Sequence, residues 1–162
     1  MKKAIFGLAL LAIAFTANAQ NKKGSDKSLK FSAGVTAGLP IGGLSNVSSF
    51  AIGGDIQAEY AAAETVGLTL SAGYINFLGK SGFGSSSQIP VLVGGKFHFG
   101  DKFYGHAQTG VSFLSGGGGT GFTYATGLGY KVSDNFDLSA RYQAVSKGGT
   151  SSFIGLRAGY SF

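Results

Sequence analysis

Two histidines, His98 and His106, and a serine shortly after them, Ser112, are the residues of this 162-residue chain with the most obvious capacity for chemistry. A histidine beside a serine can activate a nucleophile, provided that they reach each other and a third group orients the base. Gly100-Asp101-Lys102 reads as a tight turn, which places the two histidines on facing strands of one hairpin. Ser112 shares the face of His106 but stands several residues up the strand. No carboxylate on that hairpin faces the same way, and the chain has no cysteine, so the histidines are also a poor metal set. The glycine run Gly116 to Gly119 lacks a following helix and a Lys-Ser/Thr pair, so it reads as an exposed tip and not a phosphate loop. No catalytic residue, no metal ligand set and no cofactor is expected. The chain reads as a non-enzyme.

The other ionisable residues make sense only once the elements that carry them are placed. After residue 19 no stretch has helical periodicity. Segments of about ten alternating residues recur instead, with turn signals between them. The pattern predicts strands over Lys30 to Leu39, Ala51 to Ala61, Thr65 to Phe77, Gln88 to Phe99, Phe103 to Phe113, Gly121 to Val132, Phe136 to Val145 and Ser152 to Phe162. Ala62-Ala63-Glu64, Gly100-Asp101-Lys102 and Ser133-Asp134-Asn135 read as tight turns. Pro40 to Phe50, Leu78 to Ser87, Leu114 to Thr120 and Ser146 to Ser151 read as longer loops rich in Gly and Ser. A repeated frame, Gly94 to Phe103 and Gly127 to Phe136, marks a repeated hairpin. Pro90 lacks the N–H that a closed ladder needs, so a bulge or late pairing is expected there.

Alternation by itself fits a soluble barrel as well as a membrane one. The polar face separates them. In the first and third strands it carries Ser32, Gly34, Thr36, Gly38 and Gly67, Thr69, Ser71, Gly73, small uncharged residues suited to a crowded interior. The apolar face sets aromatics near the strand ends. Phe31, Tyr60, Phe97, Phe99, Phe103, Tyr130, Phe136, Tyr160 and Phe162 fall at the turn end, and Tyr74, Phe113, Phe122, Tyr124 and Tyr142 toward the loops. Aromatic belts around an aliphatic band are the pattern of bilayer interfaces.

The inward ionisable residues are then Asp55, Glu59, Lys96, His98, His106, Lys131, Asp137, Arg141 and Arg157. An eight-stranded barrel is only wide enough for side chains to fill it. Buried charges there must pair. A salt-bridged plug is therefore expected, Asp55 and Glu59 facing Lys96, Arg141 and Arg157. The alternatives are a narrow pore, or a small cavity opening outward through a Gly/Ser/Thr-lined upper lumen.

The two ends suggest an address. Lys2 and Lys3 precede an apolar run from Ala4 to Phe15, and Ala17-Asn18-Ala19 follows, the pattern of a secretory signal peptide cut after Ala19. Residues 20–29 read as a flexible periplasmic segment and 30–162 as the barrel. Without Lys2 and Lys3 the charge falls from +6 to near +4. Lys22, Lys23, Lys27 and Lys30 form a solvated leader, and an exported chain meets no nucleic acid. The closing strand turns Ile154, Leu156, Ala158, Tyr160 and Phe162 one way and Gly155, Arg157, Gly159 and Ser161 the other.

That strand, ending on Tyr160 and Phe162, resembles the C-terminal strand of bacterial outer-membrane barrels. Arg157 stands where the pattern usually has glycine, with Gly155 and Gly159 two residues to either side. The whole chain after residue 19 resembles the family of small outer-membrane β-barrels that includes the OmpA transmembrane domain and OmpX-like proteins. The resemblance implies an all-β, eight-stranded antiparallel up-and-down transmembrane barrel in the cell outer membrane. It implies outer-membrane lipid and lipopolysaccharide as surroundings, and the barrel-assembly machinery as reader of the last strand. It also implies a monomer with a structural or surface-interaction role. A narrow channel, a ligand-binding barrel or a lipid A-modifying enzyme stand as alternatives.

Overall fold

A computed structural model describes residues 29–162. The expected signal sequence and cleavage site, and Lys22, Lys23 and Lys27 of the expected leader, lie outside the described residues. Eight strands follow one another: β1 (Leu29–Ile41), β2 (Ser48–Ala63), β3 (Val66–Gly79), β4 (Ser86–Phe99), β5 (Phe103–Leu114), β6 (Gly119–Lys131), β7 (Phe136–Ser146) and β8 (Thr150–Ser161). A single helical turn, α1 (Leu44–Val47), bridges β1 and β2. Each strand pairs antiparallel with the next, and β8 pairs back onto β1 from Ser32↔Ser161 to Ile41↔Ser152, so the sheet closes. Closure leaves no edge on which backbone N–H and C=O groups stand unpaired.

The register fixes the shape. The ladder from Lys30 passes through Glu59, Thr69, Gly94, Gln108, Ala125, Gln143 and Phe153, and returns to β1 at Pro40, ten residues on. At ordinary strand spacing, a shear of ten over eight strands sets a tilt of about 40° and a backbone radius of about 8 Å. Such a barrel holds side chains and little else.

The loops are shorter than the sequence pattern predicts. Pairing runs on through Pro40–Ile41 and resumes at Ser48, so the loop-end connectors shrink to residues 42–47, 80–85, 115–118 and 147–149. Gly- and Ser-rich stretches carry no apolar alternation, yet their backbones still gain ladder hydrogen bonds. Composition therefore ended the strands too early. The turn-end connectors are residues 64–65, 100–102 and 132–135, so the difference in length between the two ends is modest. At Pro90 no bulge forms. The ladder to β5 runs unbroken through Pro90↔Ser112, while on the β3 side it lapses between Ala72↔Val91 and Ile75↔Gln88. The missing N–H costs one side of one ladder.

Alternation governs burial. In β8, Ile154, Leu156 and Tyr160 are exposed while Gly155, Arg157 and Gly159 are buried, and Leu156 at 69% beside Arg157 at 7% shows how sharply the faces divide. This inversion, apolar out and charged in, has no account in water and an immediate one in hydrocarbon.

Candidate functional site: the barrel lumen

Three tiers fill the lumen from the turn end upward. The lowest is a pair of ionic contacts around a tyrosine. Lys96 Nζ on β4 donates to Glu59 Oε2 on β2 at 2.6 Å, with His98 Nε2 3.8 Å from the other carboxylate oxygen. The same ammonium sits 4.7 Å from the centre of the Tyr104 ring, a cation–π contact. The Tyr104 hydroxyl donates to Asp137 Oδ1 at 2.5 Å. Glycines make this crowding possible. A Cβ on Gly67 would stand 2.6 Å from Glu59 Oε1, and one on Gly129 would overlap the Tyr104 ring.

The middle tier centres on Arg157. Its Nε and Nη2 donate to both Asp55 carboxylate oxygens at 2.8 to 3.0 Å, a bidentate fork. Its Nη1 lies 3.6 Å from Asp137, so one guanidinium joins the two tiers. Asp55 also faces Arg141 at 3.8 Å. Arg157 on β8 reaches Asp55 on β2 across Gly34 of β1, where any Cβ would meet the guanidinium at 2.5 Å. Gln108 completes the tier, its amide donating to Thr69 and Ser71 and its carbonyl accepting from Arg141 at 3.5 Å.

The upper tier is apolar. Ala51, Ile75, Phe77 and Phe153 form one cluster, with Leu44 of α1 packed against it. Phe153 is 1% exposed and meets Phe77 edge-on at 5.6 Å between centroids. Beside the cluster, Thr123 donates to Ser112 at 2.7 Å, both fully buried. The sequence pattern predicts an upper lumen lined by Gly, Ser and Thr, with a cavity opening outward as one alternative. The structure corrects that: large apolar side chains occupy inward positions just below the loops. The cavity, of about 780 Å³, lies at the opposite, turn end.

The structure thus gathers Asp55, Glu59, Lys96, Arg141 and Arg157 inside the barrel in two groups, Glu59 with Lys96 and Asp55 with Arg141 and Arg157. Tyr104 and Gln108 were missed, though both occupy even, inward positions of β5. Ser112 is spent on Thr123 and lies far from His106, so no nucleophile–base pair forms. Among the described residues, no group of three or more His, Cys, Asp or Glu side chains is placed to hold a metal ion.

The sequence of residues 7–162 matches the model of the outer membrane protein beta-barrel domain. The chain belongs to that family. No curated protein matches it, but solved barrels do. The outer-membrane enzyme PagL superposes with a TM-score of 0.61 at 16% identity, over 80% of this chain and 98% of PagL. The N-terminal β-barrel domain of Pseudomonas aeruginosa OprF gives 0.58 at 16%, over 85% and 100%. Ail, the attachment invasion locus protein of Yersinia pestis, gives 0.54 at 17%, over 84% and 97%. At these identities the likeness is one of fold.

As an outer-membrane barrel, the protein sets its exposed apolar face against lipid. Phe31, Tyr60, Phe97, Phe99, Phe103, Tyr130, Phe136, Tyr160 and Phe162 ring the turn end on every strand but β3, with Phe103–Tyr130 and Tyr160–Phe162 in ring contact. The loop-end belt is sparser. Phe113, Phe122, Tyr124 and Tyr142 cluster on β5 to β7, with Tyr74 on β3 and the half-buried Phe50 on β2, while β8 and β1 present Ile154 and Leu39 at that height. From Tyr130 to Phe122 along tilted β6 is roughly 20 Å of axial height, close to the apolar band of such barrels.

Proposed function

We propose that this outer-membrane barrel is a non-enzymatic, monomeric scaffold with a structural or surface-interaction role and a closed lumen. The observation that carries the proposal is the apolar tier of Ile75, Phe77 and Phe153 stacked above the Asp55–Arg157 fork, which leaves no wide polar path between the barrel ends. In this reading the chain is exported by the signal sequence cut after Ala19, and its last strand is the segment the assembly machinery reads. The slightly longer connectors face outward and the tight turns face the periplasm.

The loop end supports a contact with lipopolysaccharide. Among the described residues of the four loop-end connectors, Lys80 and Lys147 are the charged ones and no acid accompanies them. Lys147 is held by the Gly118 carbonyl, and Phe83 stands half-exposed on the same loop as Lys80. Two ammoniums on a surface free of carboxylates suit lipid A phosphates. Inward-facing histidines at the turn end speak against lipid A chemistry, since neither reaches the lipid-facing surface.

Planar-bilayer recording tests the closed lumen. Purified protein is expected to give no single-channel steps, and reproducible steps would overturn this reading. Lipid A mass spectra after overexpression test the non-enzymatic part. They are expected to be unchanged, and a new species differing by an acyl chain would refute it.

A further inference from the structure

The turn-end cavity of about 780 Å³ has a charge arrangement that salt bridging inside the barrel leaves over. Two of its carboxylates are already used, Glu59 by Lys96 and Asp137 by Tyr104 and Arg157. Two of its ammoniums, Lys30 and Lys131, stand opposite those same two carboxylates in the ladder but make no ion pair among the described residues, because Glu59 and Asp137 turn to their other partners. Both lysines sit at inward positions, on β1 and β6. The ladder from Lys131 runs through Asp137 and Gly159 to Gly34, four residues beyond Lys30. A strand tilt of about 40° cancels that offset, so the two lysines lie at nearly one level across the mouth. Further out, each of the three turns contributes one acid to the rim: Glu64, Asp101 and Asp134.

The mouth is therefore bipolar, with uncommitted cations inside and carboxylates outside. A plain anion would have to pass the acidic rim, and a plain cation would meet the lysines. A molecule with a doubly charged oxyanion at one end and an ammonium at the other satisfies both layers. A phosphate monoester carries close to two negative charges at neutral pH, which matches two ammoniums better than a single carboxylate does. We propose that the turn-end vestibule binds a small zwitterion of the phosphoethanolamine type, its phosphate between Lys30 and Lys131 and its ammonium toward Glu64, Asp101 and Asp134. This site is separate from the loop-face reading and stands or falls without it.

The test is a titration of amide resonances of the full barrel in phosphatidylcholine nanodiscs at low salt. The probes are O-phosphoethanolamine, inorganic phosphate and ethanolamine. O-phosphoethanolamine is expected to shift residues around Lys30 and Lys131 saturably, at a concentration at least threefold below that for phosphate. Lys30→Gln/Lys131→Gln should raise its half-saturation about tenfold or more. If the double variant fails to show the gel shift of a folded barrel, each single variant is titrated instead. Glu64→Gln/Asp101→Asn/Asp134→Asn should erase the advantage over phosphate. Repeating the titration in phosphatidylethanolamine discs separates a soluble monoester from the lipid headgroup. An unchanged curve is expected, because the lipid's phosphodiester carries only one negative charge, and a lost response would overturn the preference for the doubly charged monoester. The absence of any saturable shift in phosphatidylcholine discs, an unaltered curve in the lysine variants, or equal affinity for phosphate and O-phosphoethanolamine would each overturn the proposal.

Discussion

Arg157 is the residue whose removal says most about this barrel. Its guanidinium makes a bidentate contact to Asp55 at 2.8 to 3.0 Å and lies 3.6 Å from Asp137, with its side chain 8% exposed. Substituting Arg157→Met keeps length and removes the charge. Asp55 is then left with Arg141 at 3.8 Å, and Asp137 with the Tyr104 hydroxyl. Removing one partner of a buried pair costs about 3–5 kcal/mol, because the other charge stays buried and uncompensated. The surviving Arg141 contact puts the expected cost near the lower bound, about 3 kcal/mol, or roughly a hundredfold in the folded-to-unfolded ratio. Reversible urea unfolding in lipid vesicles, read by the mobility of unboiled protein in SDS gels, measures it. The double variant Asp55→Leu/Arg157→Met should recover most of the loss, since an apolar pair in place of a buried ion pair is often neutral or better. The sign is decisive. An arginine on the lipid face would itself cost about 2–4 kcal/mol, so Arg157→Met would then stabilise the barrel. Stabilisation, or a loss below about 1 kcal/mol with no recovery in the double variant, would refute both the inward placement and the pairing.

Other outcomes follow from the same geometry. Gly129→Ala puts a methyl on the Tyr104 ring and should cost about 1–3 kcal/mol as overpacking. Adding Tyr104→Ala should make the two effects clearly less than additive in the same unfolding assay. Phe153→Ala removes the centre of the apolar tier and should cost about 3–5 kcal/mol. Bilayer recordings of that variant should stay silent, because the Asp55–Arg157 fork still fills the tier below. Phe162→Ala alters a side chain that is 77% exposed, so spontaneous folding into vesicles should change little. Its level in the outer membrane of cells should fall severalfold if the last strand is the assembly signal, as fractionation would show. Lys80→Glu/Lys147→Glu should weaken co-purification with lipopolysaccharide in low salt, and unchanged co-purification would remove the loop-face contact from the proposal.

The sequence by itself determined the architecture and the faces. A period of two, carried by runs such as Ile154-Gly155-Leu156-Arg157, depends only on strand geometry. It is therefore readable wherever one face meets lipid and the other meets side chains. The small residues opposite the apolar ones reported a crowded interior, and the aromatics reported the turn-end interface. Three things waited for the tertiary structure. The extent of the strands beyond the apolar band was one, because Gly- and Ser-rich backbone pairs as well as any other while giving no alternation signal. The apolar tier was another: Ile75 and Phe77 sit at inward positions, but from sequence an apolar side chain looks alike whether it meets lipid or fills a lumen. The pairing of charges was the third. Asp55 and Arg157 are 102 residues apart, and no local pattern links them. They meet because a ten-residue shear and a closed sheet carry β8 to the far side of Gly34, which has no side chain to stand in the way.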